Sequence, residues 1–281
     1  IRPSDMLPYD FSKENFTHMG YVSEGVTTYM GDRILFESGV FSTDQYFNEL
    51  EKLFQRHFHS DGRNHYSVSE SSWDTWLDGY VQGIPGRKVS IYVEGALIAM
   101  ICDAKIREQT NGEKSLHDVM KGLYSGSASE TSYDKSDYKN MLEEVSGSDF
   151  SEIFNNLIYK NTDFTNYLKK AFSIFGWEYE NKPSENLSFR YGFKSSFKSE
   201  KLVVHSLLEK SSAYLSGLAI GDKLISINGF VINNDLNSWL NYFQNESVIL
   251  SVERDSLITE IKLGKINNNQ YFTYKVREID E

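Results

Sequence analysis

One carboxylate stands inside an otherwise apolar and aromatic stretch near the start of the chain, Tyr21-Val22-Ser23-Glu24-Gly25-Val26-Thr27-Thr28-Tyr29. From there the apolar residues Tyr21, Val22, Val26, Tyr29, Met30, Ile34 and Leu35 recur at close to helical spacing. That spacing predicts an amphipathic helix with Glu24 at the edge of its apolar face. An acid so placed is either a solvated or salt-bridged residue at the margin of a core or a functional group. Imidazoles offer a second chemistry, metal ligation, and the chain has six: His18, His57, His59, His65, His117 and His205. His57 and His59 make a His-x-His pair at the end of a predicted helix, where the rings point apart, so solvated or dipole-compensating histidines are expected. His117 falls in the first turn of another helix and is expected to cap it or face solvent. Cys102, the only cysteine, excludes an internal disulfide and lies in an apolar helical run where inert packing is expected.

The elements that must position these groups are mostly helices. Ser42-Thr43-Asp44-Gln45 is a capping box, and Phe47, Leu50, Leu53, Phe54 and Phe58 carry a helix to about Phe58. From Gly95 to about Glu108 the run is apolar nearly all round at first, which predicts a central buried helix ended by Asn111-Gly112. Further helices are expected from Ser115 to Leu123, Tyr138 to Val145, Phe150 to Ile158 and Phe164 to Phe172, with a polar loop over 125–137. A short strand at Trp177 to Glu180 and a linker at Asn181-Lys182-Pro183-Ser184 close this part. Charge changes at the same place: the first 184 residues hold 18 Lys and Arg against 28 Asp and Glu, and residues 185–281 hold 11 against 12. The overall charge of -11 argues against a nucleic-acid partner. No run of 18 apolar residues exists, so no membrane span is expected. A chain of 281 residues, 40% hydrophobic, has room for two domains with sizeable cores.

Tyr21, Glu24, Gly25, Thr27 and Tyr29 resemble the W-x-x-E-G-F-T-x-Y-Y-like segment that follows the zinc helix of gluzincin metallopeptidases. The nearest resemblance is to the glycyl aminopeptidase family with a PDZ domain near its C-terminus, related to aminopeptidase N. Tyr21 stands for the usual Trp and Val26 for the usual Phe. The resemblance implies that Glu24 is the third zinc ligand, beside two histidines of an H-E-x-x-H helix. None of the six histidines stands in that motif, so the zinc helix and the general-base Glu are missing here. Because the chain opens on Ile1-Arg2-Pro3-Ser4, similar to the family's linker before the Glu segment, it is expected to be the C-terminal part of a longer protein. The N-terminal half of that protein is then its first partner.

Ser90-Ile91-Tyr92-Val93-Glu94-Gly95-Ala96 resembles the family's Y-x-K-G-A-like segment. The implied role of Tyr92 is catalytic, its hydroxyl facing the zinc and hydrogen-bonding the oxyanion of the tetrahedral intermediate. The alternative is a buried tyrosine bonded to backbone. Glu94 replaces the usual Lys and so reverses a charge expected close to the cleft. Asp61-Gly62-Arg63, then Glu70-Ser71-Ser72-Trp73-Asp74-Thr75-Trp76 with Gly79-Tyr80, is similar to a family segment bordering the substrate cleft. Trp73 and Trp76 equally suit one packed face of a short helix.

Beyond Pro183 the period changes. Ala213-Tyr214-Leu215-Ser216-Gly217-Leu218 leads to Gly221-Asp222-Lys223-Leu224-Ile225-Ser226-Ile227-Asn228-Gly229, which resembles the PDZ signature. Glycines 217 and 221 permit turns, Leu224, Ile225 and Ile227 make a core strand, and Asn228-Gly229 makes a tight hairpin. Leu202 to Val204 is a strand, Leu236 to Phe243 the long helix, and Val248 to Val252 with Leu257 to Leu263 the closing strands. The resemblance places the peptide-binding loop at Tyr191-Gly192-Phe193, with Arg190 as an anion contact and peptides or protein C-termini as partners. Either the groove is open to them or Tyr271-Phe272-Thr273-Tyr274 of the tail fills it.

The expected fold is multidomain, α + (α/β). Residues 1–182 form the mainly helical C-terminal part of a gluzincin catalytic domain, 183–266 a PDZ domain (a small β-barrel or sandwich with two helices), and 267–281 a C-terminal tail. The intact protein is expected to be a zinc-dependent aminopeptidase, this chain alone binding zinc poorly and hydrolysing nothing. The competing expectation is a non-catalytic peptidase-like scaffold that binds peptides through its PDZ domain. The compartment stays open between cytoplasm and periplasm.

Overall fold

The computed structural model describes residues 2–78, 83–126 and 132–279. Its chain falls into two units, Ile1–Glu180 with Lys275–Glu281, and Asn181–Tyr274. The first is mainly helical. After the short strand β1 (Arg2–Pro3) and an irregular segment, the run around Glu24 forms a π-helical turn over Tyr21–Val26 that continues directly into α1 (Thr27–Glu37). The predicted amphipathic helix is therefore present, with its first turn wound wider. α2 (Thr43–Phe58) opens on the expected capping box: Ser42 Oγ accepts from the Gln45 N–H at 3.2 Å, and Gln45 Oε1 accepts from the Ser42 N–H at 2.9 Å.

Next come α3 (Val68–Trp73), α4 (Thr75–Asp78), α5 (Ile91–Gln109) and α6 (Leu116–Gly126). The two-residue strand β2 (Ser132–Tyr133) runs parallel to β1. α7 (Lys135–Ser146), α8 (Ser151–Ile153), a second π turn at Phe154–Ile158 and α9 (Thr165–Ile174) complete the helices of this unit. Residues 127–131 of the expected polar loop, and the Gly79-Tyr80 pair of the cleft segment, lie outside the described residues.

α5 is the axis of the unit because its sequence offers apolar side chains on every face. From Ile91 and Val93 to Ile106 nearly all of it is buried, and the π turn, α1, α2, α7 and α9 pack against it. Cys102 lies fully buried here, and burial pushes its thiol up to about 12, out of reach of thiolate chemistry. Asp103 is only 1% exposed yet fully used. Its carboxylate accepts from Tyr29 Oη at 2.7 Å, the Leu116 N–H at 2.7 Å and Arg107 Nε at 3.1 Å, tying α1, α5 and α6 together. Asp103→Ala would leave a buried phenol and a buried amide without an acceptor. It is expected to lower stability by about 3 kcal/mol in urea unfolding, and a loss below about 1 kcal/mol would contradict this account.

The chain leaves the first unit along β3 (Trp177–Pro183). The second unit then follows as α10 (Leu187–Tyr191), β4 (Phe193–Lys198), β5 (Lys201–Leu207), α11 (Ser212–Leu215), β6 (Lys223–Ile227), β7 (Phe230–Val231), α12 (Leu236–Tyr242), β8 (Ile249–Arg254) and β9 (Leu257–Lys262). β10 (Phe272–Glu278) returns to pair with β3. The main sheet has the order β4-β5-β6-β8-β9, with β7 on β6, and its pairings are antiparallel. The Asn228-Gly229 turn joins β6 to β7 with both residues at positive φ, 47° and 84°, as a tight hairpin of right-handed strands requires. Phe193, Val204, Ile227, Leu240, Leu250 and Val252 are the centre of the core. Asp222 is buried there and paired by two contacts to Arg254, at 2.6 and 2.7 Å, while accepting the Ala219 N–H at 2.8 Å. No described helix is long and apolar enough to cross a membrane.

Candidate active site

A cavity of about 580 Å³ in the helical unit is lined by Glu24, Ser72, Thr75, Trp76 and Tyr92, with Tyr9 and Asn15 from the irregular segment near the N-terminus. Glu24 and Tyr92 are far apart in the chain and reach one wall because the π turn crosses α5 at two glycines. A Cβ built on Gly25 would sit 2.3 Å from Gly95 Cα, and one on Gly95 would sit 2.4 Å from Tyr21 O and 2.7 Å from Gly25 Cα. Backbone therefore lies directly on backbone. Glu24 is next to the first glycine and Tyr92 is one helical turn before the second, so the crossing brings both to the cavity together.

The local sequence supports the wide turn. Two threonines add side-chain donors to carbonyls of this turn: Thr27 Oγ1 donates to Ser23 O, and Thr28 Oγ1 to Glu24 O at 2.7 Å, where the Thr27 N–H also bonds. At the turn's start Ser72 of α3 accepts the Tyr21 N–H at 3.2 Å while donating to Val68 O at 2.7 Å. Gly20 leaves room for this docking, since a Cβ there would lie 2.9 Å from Ile91 Cδ1 and 3.1 Å from the Ser72 side chain.

The carboxylate of Glu24 is half-buried and has neither a hydrogen bond nor an ion pair to any described side chain. That is an unusual state for a charge at the edge of a core, and it leaves an oxygen donor facing the cavity. Nearby, burial first, and the charges of Asp5 and Glu24 after it, raise the Tyr133 phenol against the lowering effect of its bond to Ser23. As a zinc site the wall fits in part. Among the described residues one carboxylate is present with no competing partner, but no three His, Cys, Asp or Glu side chains are grouped so as to hold a metal ion.

Trp73 and Trp76 do not form a packed face: they are 41% and 52% exposed. Trp73 stacks on His18 with ring centroids 4.6 Å apart, and Trp76 lines the cavity with Nε1 donating to Asn15 O at 3.0 Å. Two expectations about charge are corrected. Glu94 is not beside this cavity but buried on another side of α5, and His57 is not solvated but buried against it, Nδ1 to Oε1 at 2.6 Å. Ser72, Thr75 and Trp76, from the segment similar to one bordering the cleft, do line the cavity; sequence reasoning missed Tyr9 and Asn15, and no signal marked them, because the segment before Tyr21 has no period.

In the second unit Tyr191 ends α10 and is buried, Gly192 is its left-handed C-cap at φ 89°, and Phe193 begins β4 at the centre of the core. The Gly192 N–H is bonded to the carbonyls of Ser188 and Phe189. Arg190 Nε is buried without a hydrogen-bond partner among the described residues. Tyr271 packs edge-on against Phe189 and its hydroxyl meets Ser206 Oγ at 2.9 Å. The tail strand pairs with β3, while β4 pairs with β5 alone among the described strands.

Residues 1–98 match the family model of the M61 glycyl aminopeptidases. No curated protein matches the chain. Among solved structures, an aminopeptidase N family protein from Idiomarina loihiensis overlays with a TM-score of 0.87 at 25% identity, covering 100% of this chain and 50% of that one. The chain thus spans half the length of that protein. Two structures of the PDZ domain of EpsC from Vibrio cholerae overlay on 28% of the chain, at 17% and 20% identity, with TM-scores of 0.24 and 0.23 and 83% and 98% of their own lengths covered. The chain is similar to M61 glycyl aminopeptidases through its first 98 residues and to an aminopeptidase N family protein through its whole length.

Proposed function

We propose that the helical unit is one wall of the active site of a zinc-dependent peptidase that cleaves peptide bonds near the N-terminus of its substrates. The observation that carries this reading is the shared cavity, lined by Tyr92 and by a Glu24 carboxylate without a partner among the described residues, on the two segments that meet at the Gly25–Gly95 crossing. The similarity to M61 glycyl aminopeptidases and to an aminopeptidase N family protein supports peptidase chemistry. Glu24 is the metal ligand of this chain. A bound zinc would supply a Lewis acid and an activated water. Tyr92 donates a hydrogen bond to the substrate carbonyl oxygen as it gains charge. Trp76, its ring held through Nε1, and Tyr9 give the cavity apolar surface against which a substrate side chain can rest.

The two histidines and the base of such a site have no counterpart in this sequence, so the 281-residue chain by itself is expected to hold no stoichiometric zinc and hydrolyse nothing. The test uses the protein purified from its native source. About one zinc per chain and chelator-sensitive aminopeptidase activity are expected, and Tyr92→Phe should keep the zinc and leave KM nearly unchanged while lowering kcat about 100-fold. A native protein without metal or activity would overturn the reading, and an unchanged kcat in Tyr92→Phe would remove Tyr92 from it.

A second reading concerns the other unit, a PDZ-like peptide binder. The open edge of β4 favours it, since an extended peptide can add there as a strand. With the Gly192 N–H engaged in α10, the terminal carboxylate of the peptide falls to Arg190, whose Nε is buried and unpaired. If the enzyme reading fails, this unit carries the function as a non-catalytic binding module.

A further inference from the structure

His57 and Glu94 form a buried pair that the peptidase reading does not use. Their side chains are 2% and 4% exposed and 2.6 Å apart, and the imidazole stacks on Phe164 with ring centroids 4.8 Å apart. Glu94 takes the Nδ1 side, which leaves Nε2 as the other polar atom of the ring. That atom is buried and has no hydrogen-bond partner among the described residues. Arg63 Nε is in the same state, its guanidinium held 5.6 Å over the Phe58 ring and 3.6 Å from Asp163. Both residues line one small cavity of about 80 Å³, together with Asn64, Lys160, Asn161 and Asp163. Two buried nitrogens without partners among the described residues, in one polar space, cost free energy unless something hydrogen-bonds to them.

The charges around the space decide what that is. Both carboxylates at the space are engaged, Glu94 by His57 at 2.6 Å and Asp163 by Arg63 at 3.6 Å, while Lys160 on the rim has no ion-pair partner among the described residues. A cation is disfavoured, and no metal-sized set of His, Cys, Asp and Glu gathers among the described residues. We propose that this cavity is a binding site for a small oxyanion, a carboxylate or a phosphate, which accepts from His57 Nε2–H and Arg63 Nε–H. The site lies on a different side of α5 from Tyr92 and stands independently of the peptidase reading.

The experiment is a titration of the 281-residue chain with sodium formate and, separately, sodium phosphate, following the ¹⁵N resonance of His57 Nε2. Ionic strength is held with sodium HEPES, whose anion is too bulky for the cavity. A saturable shift is expected, and the salt that produces it identifies the anion as a carboxylate or a phosphate. Arg63→Gln should weaken binding at least tenfold. Lys160→Gln, at an exposed position that leaves the fold untouched, should weaken it several-fold. No shift with either salt up to about 100 mM, or equal affinity in both variants and the parent, would overturn the proposal and leave the cavity to water.

Discussion

An alanine at Gly95 is expected to cost the helical unit about 3 kcal/mol or more, at or beyond the upper end of what overpacking ordinarily costs. The added methyl would lie 2.4 Å from Tyr21 O and 2.7 Å from Gly25 Cα. Both are backbone atoms, so no rotamer change relieves the contact, and the π turn must lift off α5. The cavity changes with it, because Glu24 rides on the turn and Tyr92 on α5. Gly31→Ala is the internal control: it lies in α1, nothing stands within 4 Å of its Cβ, and an exposed helical glycine exchanged for alanine gains about 0.5–1 kcal/mol. Urea unfolding of the two variants should therefore move in opposite directions. Equal stability of Gly95→Ala and the parent would mean that the crossing is not as close as described.

Glu24→Gln should give the reverse pattern, large in function and small in stability. The carboxylate has no hydrogen bond or ion pair to lose among the described residues, so the unfolding free energy should stay within about 0.5 kcal/mol of the parent. On the proposed reading, the same change in the native-source protein should remove the zinc and lower kcat/KM by at least about 100-fold, since even the loss of a ligand's hydrogen-bond partner costs 10- to 100-fold. Metal analysis and peptide hydrolysis on one preparation decide it. Retained zinc with full activity would end the assignment of Glu24 as a ligand. Asp103→Ala is the counterpart: an acid of the same unit, but with three hydrogen bonds, whose loss should be felt in stability first.

What could be read from the sequence was whatever depends on neighbours in the chain. The Ser42 capping box, the all-apolar run that becomes α5 and the positive-φ Asn228-Gly229 turn all appear where their residues predicted them, because caps, helical periods and tight turns are decided within a few residues. Glu24, Gly25, Tyr92 and Gly95 were legible as motifs, but not why both motifs carry a glycine. Only the crossing of two helices, backbone on backbone, explains that.

Other features were decided across space. Glu94 looked like a charge beside the cleft, yet it stands two residues from Tyr92, about 200° round the helix, so one side chain meets the cavity and the other meets His57. The Asp222–Arg254 pair joins a loop to a strand that share no local pattern. Tyr191-Gly192 has the composition of a loop but closes α10, because buried Leu187 and Tyr191 draw the segment into the core. The irregular residues before Tyr21 line the cavity without any period of their own, held by single hydrogen bonds such as Trp76 Nε1 to Asn15 O. Residue type and spacing thus determined which groups were available for chemistry, and the packing of distant segments determined which of them face one another, because a side chain's direction has meaning only against the surface it meets.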